Sequence, residues 1–180
     1  MRNSMPVMTG LLSLAVVACT PTRTDAVATP MAATDDATVS VPLLAPRPGL
    51  YSAGQPAESD WRAIASRGVT TVINLRPMDE MQGRDEATEV RAAGMDYIEI
   101  PVANGAAITQ DNARKLSEAI ASANGAPVLV HCASANRAGG LLALMAATQE
   151  GISDEAALAL GRKAGMKSTE ARVVEILSAD

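Results

Sequence analysis

The chain has 180 residues, 48% of them apolar but only 2% aromatic and none of them Phe. That is enough to bury one sizeable core of Val, Ile, Leu, Met and Ala, and a single folded domain is the natural expectation. A net charge of −5 argues against nucleic acid, which asks for a basic face, and makes a generally attractive field for anions unlikely, so any anion site must be local.

Arg2 is the only charge ahead of an apolar and small-residue stretch from Met5 to Ala18. The stretch is too short to cross a bilayer as a helix and has the shape of a secretory signal, so residues 1–18 are expected to be a signal peptide. Val16-Val17-Ala18-Cys19 resembles a bacterial lipobox, which implies lipidation of Cys19. Thr20, in place of an acidic residue, implies by the same resemblance an outer-membrane destination on the periplasmic side. Ordinary cleavage with Cys19 as a spectator is the alternative. With Cys19 lipidated, Cys132 is the sole free thiol and no intrachain disulfide can form. Residues 19–45 mix Thr, Ala, Pro and Asp without apolar periodicity, the composition of a flexible tether.

A folded domain is expected over 46–180. Leu50-Tyr51-Ser52 predicts a first strand, and Ser59 or Asp60 can cap a helix carrying Trp61, Ile64 and Ala65 that stops at Gly68. Val69 to Leu75 is rich in β-branched residues and predicts a buried strand ended by Pro77. Asp79, Glu80, Asp85, Glu86 and Glu89 crowd the next loop and helix start, where acidic residues suit the helix dipole. Gly94 closes that helix, Tyr97 to Val102 predicts a strand, and Asn104-Gly105 a turn. Thr109 caps a helix running through Leu116 and Ile120 to Gly125. After a strand at Val128–Val130 and a helix to Gln149, two more helices start near Ser153 or Asp154 and near Ser168 or Thr169. Strands alternating with helices, then helices alone, predict an α/β fold with a central, mostly parallel sheet flanked by helices.

The chemistry concentrates in Val128-Leu129-Val130-His131-Cys132-Ala133-Ser134-Ala135-Asn136-Arg137-Ala138. The apolar strand leads into a tight connection that Cys132 opens and Arg137 closes, with a helical pattern clear from Leu141. Helix N-terminal amides lack internal partners and carry the positive end of the dipole, so anions settle there and a thiolate is favoured over a thiol. Small side chains at Ala133, Ser134 and Ala135 let loop amides converge, and Arg137 adds a fork of donors matched to phosphoryl oxygens. The loop would lie at a strand's carboxyl end, where open α/β sheets place ligands. The single histidine and unpaired cysteines give no zinc-like spacing, so neither metal nor cofactor is expected.

His131-Cys132, a short small-residue loop and Arg137 together resemble the phosphate-binding loop of the protein tyrosine phosphatase superfamily, in its dual-specificity-like branch. Leu50-Tyr51-Ser52-Ala53-Gly54-Gln55-Pro56, Val72-Ile73-Asn74-Leu75-Arg76-Pro77 and Tyr97-Ile98-Glu99-Ile100-Pro101-Val102 are similar to stretches of a bacterial group of beta-lactamase-hydrolase-like proteins. This resemblance covers roughly residues 46–180. It implies a phosphatase: Cys132 attacks phosphorus and forms a phosphocysteine, and Arg137 with the amides of Ala133 to Ala138 holds the phosphoryl oxygens. His131 orients the loop, and Asn136 braces it. The implied partner is a phosphorylated substrate of unread class.

Three features depart from the superfamily pattern. Only four residues separate Cys132 from Arg137, a spacing that the bacterial group shares. Ala138 stands where Ser or Thr usually assists breakdown of the phosphoenzyme, and Asn104 stands where the general-acid Asp is expected. Asp111 and Asp79 are the other candidates for the acid, with helix capping the competing role for Asp111. Two alternatives remain at this point: a rhodanese-like sulfurtransferase, and a non-catalytic anion-binding protein that keeps only the cradle.

Overall fold

A computed structural model describes residues 38–179, which fall within one compact unit, Asp35–Asp180. The expected signal peptide, Cys19 and the tether as far as residue 37 lie outside the described residues.

Five strands form one sheet in the order β1-β2-β5-β3-β4: β1 (Leu44–Arg47), β2 (Leu50–Ala53), β3 (Thr71–Asn74), β4 (Asp96–Glu99) and β5 (Val128–His131). Only the β1–β2 pair is antiparallel; β2, β5, β3 and β4 run parallel. Parallel strands are buried on both faces and read as continuous apolar runs, and every residue of β3 and β5 is buried. Central β5 is in register with both neighbours, so His131 lies opposite Ala53 and Asn74. The carboxyl ends of β2, β3 and β5 therefore finish level.

The helices α1 (Trp61–Ser66), α2 (Glu86–Ala92), α3 (Gln110–Ser122), α4 (Asn136–Glu150), α5 (Asp154–Lys163) and α6 (Glu170–Leu177) supply two apolar layers. One core joins Ile73, Val128, Val130 and Cys132 to Leu116, Leu141, Leu142, Met145 and Val173. The other joins Val72 and Leu129 to Trp61, Ile64 and Val90. Alternation along β5 sends Leu129 to one layer and Val130 to the other, as period-2 geometry requires. The helices start where the sequence predicts: the Thr109 side chain accepts from Asn112 N, and Ser153 from Ala156 N. No helix among the described residues is long and apolar enough to cross a membrane.

Two boundaries differ from expectation. The predicted domain starts at Pro46, yet Ser40 N and Oγ donate to buried Asp60 at 2.9 and 2.5 Å, and Val39, Val41 and Leu43 pack on the second core. A tether-like composition hides this because β1 is short and contains Pro46, which a sheet tolerates at an edge. Helix α4 begins at Asn136, five residues before the pattern at Leu141. Its first turns contain Gly139 and Gly140, and a Cβ at Gly139 would come within 2.2 Å of Met166 N, so a close approach of backbone selects residues that weaken the helical signature.

Candidate active site

The loop from Cys132 to Ala135 leaves the centre of the sheet and turns into α4. It is tied to the end of β2: Cys132 N donates to Ala53 O at 3.4 Å, Gln55 N to Ala133 O at 3.3 Å, and Gly54 bridges Ser134. A Cβ on Gly54 would stand 3.2 Å from Ala133 O, which explains a glycine there. Ala135 completes the turn in the left-handed region, φ 65°, immediately before the helix. The amides that follow have no carbonyl one turn behind them and so retain donor capacity.

Cys132 is fully buried at the floor of this loop. Arg137, in the first turn of α4, meets the Glu80 carboxylate through Nη1 at 2.7 Å and Nη2 at 2.6 Å. Its Nη1 also donates to Val102 O at 2.8 Å and to Ala103 O at 3.2 Å. The hydrogen bonds that Arg137 donates to Glu80 are the largest reason that the guanidinium pKa is raised, with Cys132 acting in the same direction. Cys132 directly follows the last residue of β5 and Arg137 is the second residue of α4, so the two flank one short loop. Reciprocally, Arg137 holds the Glu80 carboxyl below its ordinary range.

A polar path runs from Arg137 back to His131. Arg76 Nε lies 3.4 Å from Glu80 Oε2, and the Arg76 guanidinium donates to the Glu80 carbonyl and to Gln55 Oε1. Gln55 Nε2 donates to Glu86 Oε2. Glu86 Oε1 lies 2.9 Å from His131 Nε2, both side chains being fully buried. The contact is close but poorly aligned, so Glu86 Oε1 and both ring nitrogens keep unspent hydrogen-bonding capacity. Burial pushes the Glu86 carboxyl up, but His131, Gln55 and Arg84 outweigh it and leave the pKa below the ordinary value. Trp61 closes on the ring edge-on, its centroid 6.0 Å away.

A family model for the beta-lactamase hydrolase-like protein, phosphatase-like domain, matches residues 45–149. The chain belongs to that family. The beta-lactamase hydrolase-like protein of Agrobacterium fabrum (strain C58) is 39% identical over 93 residues, 49% of this chain but 21% of that protein. The chain thus spans about a fifth of that relative's length. A solved candidate phosphatase (DUF442) of Shewanella putrefaciens CN-32 is 28% identical, with a TM-score of 0.61 over 76% of this chain and 91% of that one. Tk-PTP in its active form superposes with a TM-score of 0.58 over 75% of this chain and 95% of that one, at 19% identity, a likeness of fold alone. The predicted tyrosine-phosphatase-like α/β architecture is the one observed.

In this phosphatase-like domain the three outlying motifs converge on the loop. The first supplies Gly54 and Gln55, the second Arg76, and the third the Val102 carbonyl. Asn136 lies beside the loop and turns away from it: Oδ1 accepts from Lys167 N at 2.7 Å and from Thr169 N and Oγ1 at 3.3 and 3.0 Å, while Nδ2 donates to Ser168 Oγ at 2.8 Å. It staples the α5–α6 turn to the start of α4. Ala133 and Ser134 are exposed, whereas Ala138 is fully buried behind Arg137.

The three candidate acids divide differently. Asn104 accepts from Ala106 N at 2.9 Å and caps a short 3-10 turn. Asp111 is occupied on its own helix by Lys115 at 2.8 Å and Arg114 at 2.6 Å, which lower its pKa. Asp79 is exposed, and it is its neighbour Glu80 that reaches Arg137. Glu80 and Glu86 are the site residues that composition hides, because acidic residues near a helix start ordinarily face solvent. The separation of Arg76 and Glu80 by one helical turn, and the placing of Gln55 and Arg76 inside the matched motifs, were the available signals.

Proposed function

We propose that the domain is a cysteine-dependent phosphatase acting on phosphate monoesters. The observation that carries this reading is the single short loop, tied to the end of β2, that joins Cys132 at the carboxyl end of the central strand to Arg137 in the first turn of α4. The Cys132 thiolate attacks phosphorus and the P–O ester bond breaks, the departing oxygen taking its proton from solvent; water then attacks the phosphocysteine, the P–S bond breaks, and phosphate with the water's proton is released as the thiolate returns. Arg137 and the amides from Ala133 to Ala138 stabilise the charge on the three equatorial oxygens, the electrostatic contribution that dominates phosphoryl transfer. Asn104 is committed to capping and has no proton to give to the leaving group, so aryl phosphates, whose leaving groups need little protonation, are the substrates expected to turn over fastest. Missing general-acid help costs about 10² to 10⁴ in rate. The signal-like N-terminus and Cys19 support a lipid-anchored protein on the periplasmic side of the outer membrane.

The test is hydrolysis of p-nitrophenyl phosphate by the purified full chain. Slow turnover, abolished by Cys132→Ser and inhibited by vanadate, is expected. Phosphate binding without turnover, lost in Arg137→Ala, would identify a non-catalytic anion-binding protein instead, a reading favoured by Asn104 and Ala138. Sulfur transfer from thiosulfate to cyanide in place of phosphatase activity would identify a sulfurtransferase.

A further inference from the structure

Glu86 is a carboxylate of this size buried to 1% exposure, and the reaction just described gives it no task. Burying a charge is costly, and a buried ion pair returns little net stability compared with apolar packing of the same volume. The apolar layer on this face of the sheet is built from Trp61, Val90, Met95 and Leu129. A charge retained in such a place calls for a role other than holding the layer together.

What Glu86 touches defines that role. Oε1 lies 2.9 Å from His131 Nε2, off the line of the ring N–H, and neither atom has another partner. Oε2 accepts from Gln55 and lies 3.8 Å from Arg84. Half-buried Tyr97, whose hydroxyl accepts from Asn74 Nδ2 at 2.8 Å, has its pKa raised first by burial and then by the charge of the same carboxylate. His131 is the last residue of β5, and the alternation of the strand turns its ring toward Trp61 while the next residue, Cys132, turns to the other layer. The backbone at this point is pinned to both neighbouring strands, Leu75 N donating to His131 O at 2.9 Å and Cys132 N to Ala53 O. A ring fixed on one side of the strand therefore fixes the Cα from which the sulfur on the other side projects.

We propose that Glu86 is a positioning residue for the nucleophile loop: it holds the proton of His131 on Nε2 and locks the ring, and through the end of β5 it sets the placement of Cys132. Gln55 aligns the carboxylate from the opposite oxygen, because its own carbonyl is already committed to Arg76. Nδ1 is left as a buried acceptor without a partner. This rests on the phosphatase reading for its consequence in turnover, while the state of the ring can be measured without it.

His131 is the single histidine in the chain, so 15N-histidine labelling of the full chain reports one ring. The wild type is expected to show a protonated Nε2 and an unprotonated Nδ1. Glu86→Gln removes the charge at constant shape and is expected to convert that pattern to a mixture of tautomers. In the same variant kcat for p-nitrophenyl phosphate falls by about tenfold or more with KM little changed, the signature of a lost orienting group. A merely structural glutamate would leave the ring nitrogens as they were. A wild-type ring carrying its proton on Nδ1 overturns the proposal with no variant needed. So does a folded Glu86→Gln protein with an unchanged ring pattern and unchanged kcat. Should the wild type prove unable to hydrolyse the ester, the phosphatase reading fails, and the ring pattern still decides the placement of the proton.

Discussion

Asn136→Ala is the substitution whose cost can be worked most directly from the coordinates. The side chain makes four hydrogen bonds to residues 167–169 at 2.7 to 3.3 Å. Those to Lys167 N and Ser168 Oγ are solvent-exposed, so water replaces them at little loss; those to Thr169 are part-buried. Taking about 0.5 kcal/mol for each exposed bond, about 1 for the Thr169 amide and about 0.5 for the Thr169 hydroxyl, whose one hydrogen is shared with the Asn136 carbonyl, less a few tenths for the better helix propensity of Ala, gives a loss of roughly 2 kcal/mol. For a domain of this size that is a fall in melting temperature of about 4 to 10 °C. Thr169 Oγ1 keeps its 2.8 Å bond to the Asn136 carbonyl, so the turn loosens without leaving. Asn136→Asp separates stability from binding. Its oxygens still accept from residues 167 and 169, and a negative charge suits a helix's first turn. A like charge beside the phosphate loop nevertheless weakens inorganic phosphate binding by roughly tenfold. Urea denaturation and calorimetric phosphate titration of both variants provide the measurement. An Asn136→Ala protein that melts with the wild type would refute the stapling role.

Two further outcomes are expected. In Gly139→Ala the new Cβ would meet Met166 N at 2.2 Å and Gly161 O at 2.7 Å, both backbone atoms that cannot rotate away; overpacking of about 1 to 3 kcal/mol outweighs the gain of about 1 kcal/mol in helix propensity, so denaturant midpoints fall rather than rise. Glu80 has its carboxyl pKa lowered by Arg137, so its stabilisation is fully present above the ordinary carboxylate range and is lost as pH falls through the lower folded value; the gap in unfolding free energy between wild type and Glu80→Gln should close on acidification from pH 7, and a gap that widens would contradict this sign.

The legibility of the chain followed the strength of local patterns. Val128–Val130 and the β-branched run ending at Leu75 show as strands because both faces of the sheet are covered. Thr109 and Ser153 show as helix starts because their side chains bond the first turn. The cysteine loop is legible because strand, small residues and arginine adjoin in sequence. What stays hidden depends on contacts between distant segments. Strand β1 exists through its pairing with β2 and the Arg47–Glu150 ion pair at 2.5 Å, neither of which has a local signature. Glu80 and Glu86 look like solvated helix-start acids until β3, β5 and α4 are assembled around them. Asn136 is the intermediate case: its place in the sequence suggests a brace for the loop, whereas its side chain turns to partners 31 to 33 residues away, which have no local signature.

The way in which Arg137 is held has a consequence for ligand choice. A guanidinium has five N–H bonds, and Glu80 with the Val102 and Ala103 carbonyls takes both hydrogens of Nη1 and one of Nη2. The remainder, Nε–H and the second Nη2–H, lie along a single flank. A visiting anion therefore docks edge-on, offering two oxygens to that flank and the rest to main-chain amides. Trigonal carboxylates exhaust their oxygens on the first contact; a tetrahedral dianion still has one to spare.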